Sequence, residues 1–226
     1  MKKIFLILCL PLATASFFAQ AGNGNVFMSN DKIFTLGKRS KSAEYKIDGN
    51  PYSNSKKFEK VTIDGFSKNV QDLRYNAYED EMEFTQNNEN YFVDKTDGLV
   101  VNFPELKKTY IVKDYTYLGN KKLGYLMLLN KKDAKYGLFK REKVELIPGE
   151  KSPNAYGKDA NDYFAKEKDL YLISNGNQFY KFPKDIDELA VLLSLDKNEL
   201  QSFAKSNKIN FNKEADLIKL VDFINK

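Results

Sequence analysis

Histidine and tryptophan are missing from the sequence altogether, and cysteine occurs once, at Cys9. Each absence removes a class of chemistry. Without histidine there is no Ser-His-Asp or Cys-His machinery and no imidazole metal ligand. A lone cysteine leaves no intramolecular disulfide and no thiolate metal cluster. Arginine is also scarce, at Arg39, Arg74 and Arg141, so most of the positive charge is lysine. Lysine alternates with Asp and Glu along the chain, the pattern of a solvated surface. Readers of nucleic acid lean on bidentate arginine contacts, and a nucleic-acid partner is not expected. Long apolar runs are absent after the first residues, so no later stretch has the roughly 20 apolar residues of a membrane-spanning helix.

The first residues are different. Met1-Lys2-Lys3 is a short positive start, Ile4 to Leu12 is apolar, and small residues follow from Ala13. Ala19-Gln20-Ala21 has the small-x-small pattern of a signal-peptidase site. The sequence therefore predicts a signal peptide over 1–21, with cleavage after Ala21 and a second possible position after Ala15. Cys9 sits inside the apolar run after Ile7-Leu8, which does not fit a lipid-anchor site. Export removes Cys9, so the secreted or periplasmic chain carries neither thiol nor imidazole. Any catalysis would fall to carboxylates, Lys, Tyr, Ser or Thr, or a bound cofactor, and no motif calls for a cofactor.

Three zones follow. Residues 22–57 form a polar leader with few apolar residues to offset its ordering entropy. Val26-Phe27-Met28 and Ile33-Phe34 could dock as short edge strands, and Asp48-Gly49-Asn50-Pro51-Tyr52 reads as a turn. Residues 58–182 carry roughly ten short runs rich in Tyr, Phe, Val and Ile, broken by Asn, Asp and Gly, as expected of an antiparallel β domain. Expected strands include Phe58–Ile63 before a hairpin at Asp64-Gly65, Leu73–Tyr78 and Glu81–Thr85 about a turn at Glu79-Asp80, and Tyr110–Leu118. Gly124–Leu129 is continuously apolar, which suggests a central strand buried on both faces. Residues 148–161 read as a loop, and Asn175-Gly176 is the strongest hairpin signal. The fold class is mainly β, an antiparallel sandwich or barrel-like meander, with a small α-helical subdomain at 183–226. Its helices start at Asp185, Asp196 and Asn212 as caps. Glu199 stands at capping-box spacing from Asp196. A unit of ~40 residues is marginal alone, so it is expected to dock on the β domain.

The densest polar group is Glu79-Asp80-Glu81 with Glu83. Glu81 and Glu83 share one strand face about 7 Å apart by strand rise. That spacing suits an inverting carboxylate pair on a glycan, or loose Ca²⁺ ligation, or simply a solvated hairpin. Tyr75 and Tyr78 point to opposite faces, so one of them can offer an aromatic surface to a sugar or peptide. Tyr110, Tyr115, Tyr117 and Tyr125 are further aromatics, mostly with core roles. Lys140-Arg141-Glu142-Lys143 reads as a charged strand junction.

Gly49-Asn50-Pro51-Tyr52-Ser53-Asn54, the run Leu73 to Phe84, Ala204 to Ile209 and Glu214 to Val221 together resemble a family of secreted bacterial proteins with no assigned function. The resemblance implies export and a shared β-plus-helix layout, and implies no reaction, ligand or catalytic residue. The sequence thus points to an exported non-enzymatic binding or envelope-associated module, whose partner is a glycan, peptide or envelope protein. The alternative is a carboxylate-dependent glycan-active enzyme using Glu79 to Glu83.

Overall fold

The computed structural model describes residues 25–29, 32–36, 47–66, 70–153 and 156–226. The expected export signal and Cys9 lie outside them. The described chain is mainly antiparallel β, with three helices at its C-terminal end.

The strands are β1 (Asn25–Ser29), β2 (Lys32–Leu36), β3 (Thr62–Ile63), β4 (Arg74–Asn76), β5 (Glu81–Gln86), β6 (Glu89–Phe92), β7 (Val100–Phe103), β8 (Lys108–Tyr117), β9 (Asn120–Leu128), β10 (Tyr136–Arg141), β11 (Val144–Ile147), β12 (Tyr163–Lys166), β13 (Leu170–Asn175) and β14 (Gln178–Lys181). The helices are α1 (Ile186–Leu193), α2 (Lys197–Ser206) and α3 (Glu214–Ile224). Seven strands form the main sheet in the order β14-β13-β10-β9-β8-β7-β3. A three-stranded sheet, β4-β5-β6, stands beside it, with two-stranded ribbons β1-β2 and β11-β12.

The continuously apolar run that predicted a doubly buried strand is β9, the middle strand of the seven. Tyr125, Leu126 and Met127 are all buried there. Register assigns the two faces. Tyr110, Met127, Lys140 and Tyr171 stand opposite one another across β8, β9, β10 and β13, so they share a face. One half of that face packs on the small sheet through Tyr110, Val112 and Tyr125 against Tyr75, Met82 and Phe84. The other half, Leu138 and Ile173, is covered by Leu189, Leu200, Leu217 and Leu220 of the helices. On the opposite face Ile111, Leu126, Phe139 and Leu172 make a separate core. β14 returns alongside β8 although β13, β10 and β9 separate them, so the sheet curls around this second core. Phe179 of β14 meets the Tyr115 ring at 5.7 Å and the Phe139 ring at 5.3 Å. The curl stops short of a barrel.

Several expected boundaries move. The run Phe58–Ile63 divides between sheets: Glu59 bridges Leu73, and only Thr62–Ile63 pairs with β7. Asp64-Gly65 therefore turns the chain without making a hairpin, and the Asp64 N–H goes to the Val100 carbonyl. At the Asn175-Gly176 hairpin the two loop residues are Gly176 and Asn177, closed by the pair Asn175 and Gln178. β12, a four-residue run without alternation, carries little signal in sequence and forms by pairing with β11. From the expected leader, Val26–Met28 and Ile33–Phe34 lie in β1 and β2, which pair with each other. Residues 48–59 run along the folded domain, with Asp48 bridging Tyr163 and Tyr52 bridging Asn76. Gly49 holds φ +89° there, and a Cβ would stand 2.7 Å from the Phe164 carbonyl oxygen. Asp185 and Asp196 cap α1 and α2 by accepting the N–H of Glu188 and Glu199. Asn212 does not cap α3. Its N-cap is Lys213, which makes no side-chain cap bond, while Asp216 reaches back to accept the Asn210 N–H.

Candidate functional site

The acidic turn joins β4 to β5, and register sets Arg74 opposite Glu83 and Asn76 opposite Glu81. Glu83 is wholly buried. Arg74 donates from Nε to Glu83 Oε2 at 2.7 Å, and its Nη2 lies 2.7 Å from the same oxygen. Asn76 donates to Glu83 Oε1 at 2.7 Å. The guanidinium is itself held between the Tyr52 and Phe58 rings, 4.0 and 4.2 Å from their centroids. A planar cation between two aromatic faces with two nitrogens on one carboxylate oxygen is a structural pair.

Asp80 takes the tip of the turn at φ 56° and reaches into the main sheet. It accepts from the Tyr75 hydroxyl at 2.7 Å and from the Tyr125 N–H at 3.2 Å. The second bond has a topological cause. Val112, opposite Tyr125, bonds Leu99 and Gly98 on its β7 side, so the Tyr125 amide faces away from β8. β10 pairs with β9 only at Leu128 and Met127, which leaves that amide open to Asp80. A Cβ on Gly124 would lie 2.5 Å from Asp80 Oδ2, so this approach requires glycine. Burial raises the Asp80 carboxyl above its ordinary value, and Lys95 and Tyr75 partly oppose it. Burial likewise raises Glu81, which pairs with Lys95 at 3.1 Å.

Of the six residues singled out in sequence, Tyr75 is buried, Glu83 is sealed, Asp80 and Glu81 converge on Lys95, and Tyr78 and Glu79 face solvent. Tyr78 rests edge-on against Phe164, with ring centroids 5.2 Å apart. Glu81 and Glu83 share a strand face as expected, but they do not face one cleft. Among the described residues no group of three or more acidic side chains is placed to hold a metal.

Glu142, in the charged run Lys140-Arg141-Glu142-Lys143, is a second buried carboxylate, 3 % exposed. It accepts from Tyr110 and from Lys108, which also bonds Asn54. Burial pushes the Glu142 carboxyl up, but the Tyr110 hydroxyl and the Lys108 ammonium more than offset it and hold it below the ordinary range. Desolvation and the neighbouring Glu142 charge raise the Tyr110 hydroxyl, so it stays protonated. Tyr75 and Tyr110 rings touch at 4.8 Å, which joins the Asp80 and Glu142 groups through the core. No periodicity distinguishes such a Glu from a surface one; only its tertiary partners do.

The arrangement defines a class: an antiparallel β protein, a sandwich at one end and helix-covered at the other, whose acidic turn is a structural junction. No family model matches the chain, and no curated protein or solved structure matches it significantly. No helix among the described residues is long and apolar enough to cross a membrane.

Proposed function

We propose that the protein is an exported, non-enzymatic binding module that acts outside the cytoplasm, free or associated with the envelope. The observation that carries the reading is the state of Glu83. A general acid or base must reach its substrate, whereas Glu83 is buried with both oxygens bonded to Arg74 and Asn76. The missing histidine removes the commonest alternative base. The N-terminal charge-apolar-small pattern and the resemblance to secreted bacterial proteins support export. The partner is a glycan, a peptide or an envelope protein, and Tyr78 is the one aromatic of the acidic turn open to it.

The purified exported chain should turn over nothing on a panel of glycans and peptides. Turnover abolished by both Glu81→Gln and Glu83→Gln would replace this reading with the carboxylate enzyme. N-terminal sequencing of the exported fraction should begin at Gly22, and an intact Met1 there would remove the export signal from the argument.

A further inference from the structure

We infer that the tip of the β8-β9 hairpin is a membrane-contact site, where Leu118 enters the interface of an anionic lipid bilayer and the lysines around it meet the headgroups. This contact rests on the envelope-associated side of the proposed function and gives it a surface. β7 pairs with β8 only as far as Ile111, and β10 pairs with β9 only at Leu128 and Met127. Beyond those points, from Lys113 to Leu123, the two strands pair only with each other. Phe179 of β14 supports the base of this arm at Tyr115. Past that support every residue from Leu118 to Leu123 is exposed.

The tip runs against ordinary turn chemistry. Tyr117 pairs with Asn120, so Leu118 and Gly119 are the loop, at φ 50° and 76°. Two-residue loops of this hand favour Asn-Gly, because most other side chains crowd the backbone in the left-handed region. Two other hairpins of the chain follow that preference, with Asn87-Asn88 between β5 and β6 and Gly176-Asn177 between β13 and β14. Among the described residues seven other than glycine hold positive φ, and Leu118 alone of them is apolar. It is also 80 % exposed. Folding neither buries this side chain nor favours its backbone; a partner that buries it accounts for both.

The surroundings select the partner. Behind Leu118 a cleft of about 390 Å³ lies between the hairpin end, β14 and α1, bordered by Lys181 and Lys184. Lys121 and Lys122 follow the tip in sequence. Lys122, Lys181 and Lys184 have no ion-pair partner among the described residues. Two carboxylates are near: Asp114 pairs with Lys121 at 2.9 Å, and Glu188 accepts the Lys184 N–H. From the apex inward the order is therefore apolar, then net basic. A bilayer offers the complement, hydrocarbon beneath anionic headgroups. A protein interface takes about 800 Å² from each partner around aromatic or arginine anchors, which one leucine on a turn does not supply.

The chain has no tryptophan, so Leu118→Trp places its only indole at the tip. The test is the emission of that variant of the full exported chain with vesicles of equal parts phosphatidylglycerol and phosphatidylcholine, and with phosphatidylcholine alone. Emission should move to the blue with the anionic vesicles only, and added salt should reverse the shift. Tyr156→Trp, at another fully exposed position, should show no shift. In vesicle sedimentation Leu118→Asn should weaken binding roughly tenfold while raising Tm, because Asn suits the left-handed turn. Lys122→Ala should weaken binding roughly fivefold at unchanged Tm. No blue shift for Leu118→Trp, an equal shift for Tyr156→Trp, or full vesicle binding by Leu118→Asn overturns the site. Self-association that Leu118→Asn removes, without vesicle binding, assigns the tip to a second copy instead. Failure of the membrane contact leaves the binding-module reading standing, because that reading falls to enzymatic turnover and not to vesicles.

Discussion

Three carboxylates decide much at the level of single residues, because each is answered by a different partner: Glu83 and Glu142 are buried, and Asp80 is partly exposed. Glu142 makes the clearest prediction. Its carboxyl is held below the ordinary 4.5. A depressed carboxyl contributes stability that is fully present above the unfolded value and lost as pH falls through the folded one. Glu142→Gln should therefore lower the neutral-pH stability by about 2–3 kcal/mol, the scale of a charge-assisted bond. It should also flatten the acid limb of the curve below about pH 4.5. Urea melts across pH check both, and an unchanged acid limb refutes the assignment. Asp80 and Gly124 make a coupled prediction. Gly124→Ala sets a methyl 2.5 Å from Asp80 Oδ2, so the carboxylate must shift and strain the bonds its Oδ1 makes to Tyr75 and Tyr125, at a cost of about 1–3 kcal/mol. In an Asp80→Gly background the obstacle is gone, and the same change should cost less than about 1 kcal/mol. Additive costs in a double-mutant cycle would disprove the contact.

At the level of elements, what local chemistry controls was legible and what distant partners control was not. The caps Asp185 and Asp196 and the hairpins at Glu79-Asp80 and Asn175-Gly176 could be read because each is settled within a few residues. Gly124–Leu129 was legible as a central strand because burial on both faces leaves no alternation. β12 and the divided run Phe58–Ile63 take their form from β11, Leu73 and β7, which sequence pattern does not name. The candidate site was legible as an acidic turn only. That Glu83 is sealed depends on Arg74 lying between Tyr52 and Phe58, residues 16 to 22 positions upstream of Arg74 in sequence, and no spacing rule links them. The start of α3 shows the limit of cap reading. Asn212 has the right chemistry, yet Lys213 holds the cap position without a side-chain bond. Lys213→Ser should supply the missing acceptor and stabilise the protein by roughly 0.5–1 kcal/mol. Thermal melts of the pair check it, and a lower Tm would show that the cap position is already satisfied.

The molecule as a whole depends on the helices as much as on the sheets. α3 is held on β10 at both ends. Lys140 bonds Glu214 at 2.7 Å, and Asn225 accepts the Tyr136 N–H and donates to the Tyr136 carbonyl, each at 2.9 Å. Between these ties Leu138, Ile173, Leu189, Leu220 and Val221 are wholly buried, each contributing about 1.5–3 kcal/mol. Deleting residues 183–226 exposes Leu138 and Ile173 on the sheet, so the truncated chain should aggregate or bind a hydrophobic dye. A monomeric, dye-silent truncation would show that the helices are dispensable to the β domain. The cluster of Tyr75, Tyr110 and Tyr125 has a consequence for how the protein can be watched. All three hydroxyls are raised above the usual tyrosine range, chiefly by burial, and the chain has no tryptophan to mask them. An alkaline titration followed by tyrosinate absorbance reads these hydroxyls directly. The buried three should ionise only as the sheets part, so the delayed rise in tyrosinate absorbance is a label-free clock for the opening of this core.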